Sequence, residues 1–233
     1  MTATLLVIAA HPDDEVLGCG ATVCRMVDGG WRAHLLVMSA GVGGRHGADE
    51  ARSEAVEREQ ASLREQMRRA GALIGFGETI ALDFPDNRMD TVARMDISRA
   101  IRAVIERLRP ELVFTHHPGD YNWDHARTFE ATLMAVRFNP PDFAPAELRT
   151  FEVLSSTERG WQEPSRAFHP NLYVDVAATI EVKKQALLAY ESEYRAYPHP
   201  RSVEAVEYLA RRRGGEVGVA CAEAFHVVRK LEH

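Results

Sequence analysis

Short apolar runs alternate with helical patterns through the first half of the chain, and this alternation most constrains the fold. The runs lie at residues 5–10, 34–39, 79–82 and 112–115, and polar residues interrupt them little. Runs of this kind are typical of strands buried on both faces of a parallel sheet. Strands that alternate with helices form right-handed βαβ units. The sequence therefore predicts a single Rossmann-like α/β domain, a mostly parallel sheet with helices on both faces.

Helical patterns fill the segments between these runs. They cover residues 16–27, 49–70 and 92–108, and a further helix begins near His125. The first pattern stops at Gly29 and Gly30, and the third stops before Pro110, as expected at helix ends. The last third of the chain is less regular. There we predict strands near 151–155, 172–176 and 224–228, a helix at 180–194, and a loop at 211–215.

Composition limits the kinds of partner. The 233 residues fit one domain, predicted at 1–230, and residues 231–233 resemble the remnant of an affinity tag. A net charge of −6 argues against nucleic acid or an anionic membrane surface as the main partner. No export signal is visible, and no apolar stretch approaches the roughly 20 residues that span a bilayer. We therefore expect a cytoplasmic protein with no membrane partner; a homo-oligomer stays open.

Two polar clusters follow two of the predicted strands. The sequence His-Pro-Asp-Asp-Glu occupies residues 11–15, directly after the first strand. Residues 116–125 follow the fourth strand and contain three histidines and two aspartates. Ligands of doubly wound sheets bind outside the carboxyl ends of the strands. We therefore expect both clusters at the same edge of the sheet.

The residue types in these clusters indicate a metal centre. Pro12 disfavours a regular continuation of the strand, and a turn there would let His11 and Asp14 point at one centre. Asp13 would then lie beside the metal, and His125 would supply a third ligand. Three protein ligands and an open position are the pattern of catalytic zinc. Such a site activates water and polarises a carbonyl; iron(II) and manganese(II) stay open as alternatives.

Other polar residues of the two clusters have more ordinary interpretations. Asp120 and Asp124 are predicted to orient the ligands or to hold substrate. Glu15 suits the first turn of a helix, where an acidic side chain is favourable. His116 and His117 are more often packing or supporting histidines than ligands.

At these residues the chain resembles the PIG-L/LmbE-type family of zinc-dependent N-acetylglucosamine deacetylases. The main match is Ala-His-Pro-Asp-Asp-Glu at residues 10–15, followed by Gly18 and Gly20, together with Asp124 and His125. Weaker similarities lie at residues 64–65, 84–86, 173–175, 183 and 222–225, so the resemblance spans essentially the whole chain.

The resemblance implies a function and a role for individual residues. It implies that zinc is held by His11, Asp14 and His125, and that Asp13 is the general base and then the general acid. The reaction would remove an N-acetyl group from a small amino sugar or its conjugate, releasing acetate and a free amine. Arg64 and Asp86 are the candidates for family positions that bind sugar hydroxyls, although a surface ion pair is an equal interpretation of both.

One position departs from the family pattern. Many members carry a histidine three residues before the distal ligand, close to the developing oxyanion, whereas this chain has Asn122. An amide can still donate a hydrogen bond to an oxyanion, but it brings no positive charge and relays no proton.

Other functions agree less well with these residues. A dinucleotide-binding turn needs three spaced glycines directly after the first strand, and here acidic residues occupy that place. Two histidines and a carboxylate also describe non-haem iron oxygenases, which usually need a β-barrel scaffold. An amidase of the same fold acting on a non-sugar or thiol-conjugate amide, and a non-catalytic module that binds a metal or ligand, remain alternatives.

Overall fold

A mixed sheet forms the centre of the computed structural model, which describes residues 2–46, 53–160 and 163–232. Within these residues the sheet has seven strands in the order β3-β2-β1-β4-β5-β7-β6. The strands are β1 Thr4–Ala9, β2 Arg32–Val37, β3 Phe76–Ala81, β4 Leu112–His116, β5 Glu147–Phe151, β6 Leu172–Asp175 and β7 Ala222–Lys230. The helices are α1 Asp14–Asp28, α2 Glu54–Ile74, α3 Arg94–Leu108, α4 Trp123–Ala135, α5 Ile180–Ala189 and α6 Val203–Val217.

The first five strands are parallel, as the sequence predicts. Strand β1 pairs in parallel with β2 on one side and with β4 on the other, and β2–β3 and β4–β5 are also parallel. Strand β7 runs antiparallel between β5 and β6. The prediction of a mostly parallel sheet is therefore confirmed. The carboxyl ends of β1 and β4, which precede the two polar clusters, are neighbours at one edge.

Two apolar cores lie on the two faces of the sheet. Along β1, Leu5, Val7 and Ala9 pack with helices α1, α2, α5 and α6, whereas Leu6 and Ile8 pack with α3 and α4. All five side chains are fully buried. Successive side chains of a strand point to opposite faces. The continuous apolar run at 5–10 therefore exists because β1 needs an apolar partner on each side.

The loop predicted at 211–215 is wrong, because these residues lie within helix α6. Gly214 lies against the backbone of residues 219–221, where an added Cβ would clash. Arg213 is buried and donates through Nε and Nη2 to the Glu152 carboxylate, at 2.7 and 2.8 Å. These tertiary contacts stabilise the helix through Gly214 and Gly215, whose helical propensity is weak.

Smaller differences concern the ends of elements. The fifth strand lies at Glu147–Phe151, before the predicted 151–155, and helix α5 ends at Ala189, five residues before the predicted end at 194. Residues 49–52 of the predicted second helix lie outside the described residues, and α2 begins at Glu54 after the capping residue Ser53. None of the described helices has the length and apolar character that crossing a membrane requires.

Candidate metal centre

The turn after β1 and the first turn of α4 bring three side chains together. His11 follows β1, Asp14 is the first residue of α1, and His125 lies in the first turn of α4. Asp14 Oδ2 lies 3.5 Å from His11 Nδ1 and 3.3 Å from His125 Nε2. One ligand atom from each of the three residues lies within 4.8 Å of the others. Two imidazoles and a carboxylate with an open side form the donor set of a catalytic zinc site.

Carboxylates contact the remote nitrogens of both imidazoles. His11 Nε2 lies 3.1 Å from Asp124 Oδ2 and 3.3 Å from Asp86 Oδ1. His125 Nδ1 lies 3.2 Å from Asp120 Oδ1. A carboxylate that accepts from one ring nitrogen fixes the tautomer and leaves the other nitrogen as the ligand atom. The distances therefore support the orienting roles predicted for Asp120 and Asp124.

Both orienting carboxylates are themselves held by hydrogen bonds. Asp124 accepts from the backbone N–H groups of Asn87 and Met89, at 2.7 and 3.0 Å. Asp120 accepts from Thr157 Oγ1 at 2.6 Å and from the Ser156 hydroxyl. The two hydroxyls come from a short 3-10 turn after β5, a region in which the sequence carries no recognisable motif.

A second set of ligand atoms overlaps the first. His11, Asp86 and Asp124 also place one ligand atom each within 4.8 Å of one another. This set has only one imidazole, and Asp124 already accepts two backbone N–H groups while Asp86 Oδ2 accepts from Gly44 N at 2.8 Å. The geometry therefore favours His11, Asp14 and His125 as the ligands, with Asp86 and Asp124 behind them.

The electrostatics of this cluster favour a cation. Burial lowers the pKa of His125, but Asp14 and Asp120 outweigh burial and raise the pKa to about 9. Burial likewise lowers the pKa of His11, but its carboxylate neighbours, led by Asp124 and Asp14, raise the pKa to about 10. Burial opposes ionisation of Asp14, yet His125 and His116 hold its pKa well below its usual range. A site that stabilises protonated imidazoles also stabilises a bound metal ion.

His116 packs beneath the candidate ligands. It is fully buried and stacks on His125, with ring centroids 3.9 Å apart. Its Nε2 accepts from Ala10 N at 2.8 Å. Burial and the neighbouring His125 lower the pKa of His116 to about 3, so the ring is neutral. These contacts agree with the interpretation of His116 as a supporting histidine.

Asp13 lies beside the three candidate ligands in an unusual backbone conformation. It caps α1 with φ of 92°, in the left-handed region, and its side chain is buried. Burial raises the pKa of Asp13 to about 7, against the opposing effect of Arg201. Its Oδ2 lies 3.2 Å from Arg201 Nη1, and the same nitrogen lies 3.0 Å from Glu193 Oε2. A carboxyl group that titrates near neutrality can both accept and return a proton.

A cavity of about 300 Å³, here called the metal-site cavity, opens over His11 and Asp13. This volume lies at the lower end of the range for small-molecule sites, about 300–1,000 Å³. Polar side chains dominate its wall: Asp13, Asp86, Asn87, Asn122, Glu193 and Arg201. Sequence reasoning missed Arg201 and Glu193, because they follow α5 in a segment without periodicity or motif.

The other predicted substrate contacts fall in two places. Asp86 and Asn122 line the metal-site cavity. Asn122 also caps α4, where its Oδ1 accepts from Asp124 N at 2.8 Å. Arg64 does not line the cavity; its Nη2 donates to Asp83 Oδ1 at 2.8 Å in an exposed ion pair. A sugar-binding role for Arg64 remains a prediction that its position does not support.

The fold and the cluster together define an α/β domain with a candidate metal centre of the hydrolytic type at the carboxyl edge of its sheet. The PIG-L family model, described as GlcNAc-PI de-N-acetylase, matches residues 6–136. The chain belongs to this family, so the resemblance drawn from residues 10–15 and 124–125 is confirmed.

Named relatives agree with this placement. The chain is 32% identical to the uncharacterized deacetylase YaiS of Escherichia coli strain K12 over 58% of this chain and 69% of that protein. It is 26% identical to the diacetylchitobiose deacetylase of Thermococcus kodakarensis, over 82% of this chain and 70% of the relative. The crystal structure of the conserved protein TT1542 from Thermus thermophilus superposes with a TM-score of 0.73 at 27% identity, covering 98% of this chain and 96% of that one.

Proposed function

We propose that this protein is a metal-dependent N-deacetylase that removes the acetyl group from a small molecule containing an amino sugar. The observation that carries the proposal is the arrangement at one sheet edge: three ligand side chains converge, and a buried carboxyl group, Asp13, stays beside them. The names of the deacetylase relatives support the same reaction. Two imidazoles and one carboxylate with an open position are a donor set of catalytic zinc in hydrolases, and zinc is therefore the metal we propose.

The residues of the site divide the hydrolysis between them. A divalent metal held by His11, Asp14 and His125 would supply Lewis-acid chemistry, polarising the acyl carbonyl and making water a better nucleophile. Asp13 accepts the proton of the water as its oxygen bonds to the acyl carbon. As the C–N bond breaks, Asp13 returns that proton to the departing nitrogen. The products are acetate and a free amine.

Asn122 is the candidate donor to the oxyanion that develops on the acyl oxygen. Its side chain lines the metal-site cavity, and its Nδ2 makes a long contact of 3.4 Å with Asn87 Oδ1. An amide donor in such a position stabilises the transition state by a hydrogen bond without adding charge.

Acetate release tests the proposed function. Zinc-loaded protein is incubated with N-acetylglucosamine, diacetylchitobiose, a nucleotide sugar and an N-acetylated thiol conjugate, and acetate and free amine are both quantified. We expect equal amounts of the two products from at least one amino sugar, and none with His125→Ala. Cleavage of the thiol conjugate alone would refute the amino-sugar substrate, and binding without any cleavage would favour the non-catalytic module.

A further inference from the structure

A second cavity of about 200 Å³ adjoins the metal-site cavity. We call it the arginine cavity; it is lined by Ser155, Arg159, Glu193, Arg195, His199 and Arg201. Glu193, Arg195 and Arg201 line both cavities. The two cavities therefore share a wall of charged side chains, and a ligand that occupies one can extend into the other.

The arginine cavity carries an excess of positive charge. Its wall holds three guanidinium groups and one carboxylate. Arg201 is neutralised by Asp13 and Glu193, at 3.2 and 3.0 Å. Arg159 and Arg195, in contrast, take part in none of the ion pairs found among residues 2–46, 53–160 and 163–232.

Backbone contacts hold Arg195 in place without cancelling its charge. Its Nη1 donates to the carbonyl oxygens of Ser192 at 2.7 Å and Tyr194 at 2.8 Å. Partial burial lowers the pKa of His199, and the positive charges of Arg201, Arg159 and Arg195 lower that pKa further. In a chain with a net charge of −6, this is a local concentration of positive charge beside a candidate active site.

We propose that Arg159 and Arg195 form an anion subsite, so that the amino sugar cleaved at the metal centre carries a carboxylate or phosphate group. This inference rests on the proposed function and specifies its substrate class. Guanidinium groups recognise both anions by paired N–H donors, so the shared chemistry is a multidentate oxyanion.

The position of Arg201 connects the subsite to the chemistry. Its Nε donates to Ser155 Oγ at 3.1 Å on the wall of the arginine cavity, while its Nη1 contacts Asp13 at 3.2 Å. The Arg201 side chain thus lies between an anion bound by Arg159 and Arg195 and the Asp13 carboxyl group. Binding energy from the anion can therefore orient the acetamide at the metal centre.

The test compares neutral and anionic substrates. We measure kcat/KM for N-acetylglucosamine, its 1-phosphate, its 6-phosphate and N-acetylmuramic acid, whose anions lie at different places around the ring. We expect at least one anionic sugar to exceed the neutral sugar by about tenfold or more, the effect of one charge-assisted contact. Phosphate and carboxylate sources are distinguished by which probe shows the preference.

Variants show whether the two arginines create that preference. Arg159→Gln should reduce the ratio of anionic to neutral kcat/KM by about tenfold and leave the neutral value within about twofold. Arg195→Gln should reduce the same ratio by about tenfold, and its neutral value is measured beside it because Arg195 also lines the metal-site cavity. Arg99→Gln is the matched control, because it removes the same charge from an exposed site on α3, on the other face of the sheet. Equal rates for neutral and anionic sugars, or an equal loss in the control, would overturn the subsite.

A binding measurement separates failure of the subsite from failure of the proposed function. If no sugar is cleaved, the deacetylase proposal fails, and calorimetry with the two phosphate esters and N-acetylmuramic acid still decides the subsite. Weaker binding of one of these anionic sugars to Arg159→Gln and Arg195→Gln than to Arg99→Gln supports it. Unchanged binding of all three contradicts it.

Discussion

The metal centre and the arginine cavity are neighbours built in opposite ways. At the metal centre, Asp14 and His125 are buried, and carboxylates contact the remote nitrogens of His11 and His125. In the arginine cavity, Arg159 and Arg195 are exposed, and Arg195 is held by backbone carbonyl groups. Side chains held by packing and hydrogen bonds keep the precise geometry that catalysis needs, whereas exposed charges are accessible to a ligand. The two proposals thus assign the reaction to the buried region and the choice of substrate to the exposed one.

Removing a ligand should have the largest effect on the buried region. His125→Ala deletes one imidazole, and we expect metal content to fall from about one ion per chain to near zero, with deacetylation at background. Elemental analysis after gel filtration measures the metal directly. His169→Ala, which removes an exposed histidine, should keep both. Full metal content in His125→Ala would show that the ligand set is wrong.

Removing the proton acceptor should leave the metal centre intact. Asn tolerates the left-handed backbone that residue 13 adopts, so Asp13→Asn changes charge with little strain. We expect normal metal content and a kcat lower by about 10²–10⁴-fold, the usual contribution of a general acid–base group. Asp83→Asn, at an exposed carboxylate, is the control. Near-normal turnover of Asp13→Asn would place proton transfer on another group.

The framework behind the metal centre depends on a buried ion pair. Lys183 Nζ lies 2.6 Å from Glu223 Oε1 and donates to Leu17 O, and Glu223 also accepts from Ala21 N and Thr22 N. Lys183→Met leaves that carboxylate buried without its cation, so we expect the free energy of unfolding to fall by about 3–5 kcal/mol.

Urea denaturation with a matched lysine checks this expectation. Lys184 is the next residue and pairs with Glu181 and Glu207 at a more exposed position. Lys184→Met should cost only about 0–1 kcal/mol. Similar losses for the two variants would mean that the Lys183–Glu223 pair does not support helix α1 any more than a surface contact does.

The sequence predicts the metal centre better than it predicts the arginine cavity. The apolar run of β1 and the His-Pro-Asp-Asp-Glu turn are local patterns, so they predict strand, turn and converging ligands. The wall of the arginine cavity has no such pattern. Arg201 reaches Asp13 from the far end of the sequence, and only the packing of α5 and the following segment on α1 brings them together.

Residues 211–215 and Arg64 both make contacts that the sequence does not indicate, and the reasons are similar. Residues 211–215 end in two glycines, which have weak helical propensity, and the Arg213–Glu152 contact helps to hold them in the helix. Arg64 lies on the expected helix, but its guanidinium donates a hydrogen bond of 2.8 Å to the Asp83 carboxylate. In both cases a long-range partner, which periodicity does not reveal, determines where a charged side chain lies.

Asn122 combines a structural and a candidate functional role, and its replacement should give the smallest effect. Its Oδ1 caps α4 by accepting from Asp124 N, while its Nδ2 is the candidate donor to the oxyanion. Asn122→Asp keeps a capping acceptor but removes the donor, so unfolding free energy should change by less than about 0.5 kcal/mol. We expect kcat to fall by about tenfold or more through loss of that donor. Asn122→Ala removes both groups and should also cost about 1 kcal/mol of stability. If Asn122→Asp keeps full kcat, residue 122 serves only as a helix cap, and the oxyanion is stabilised by other groups.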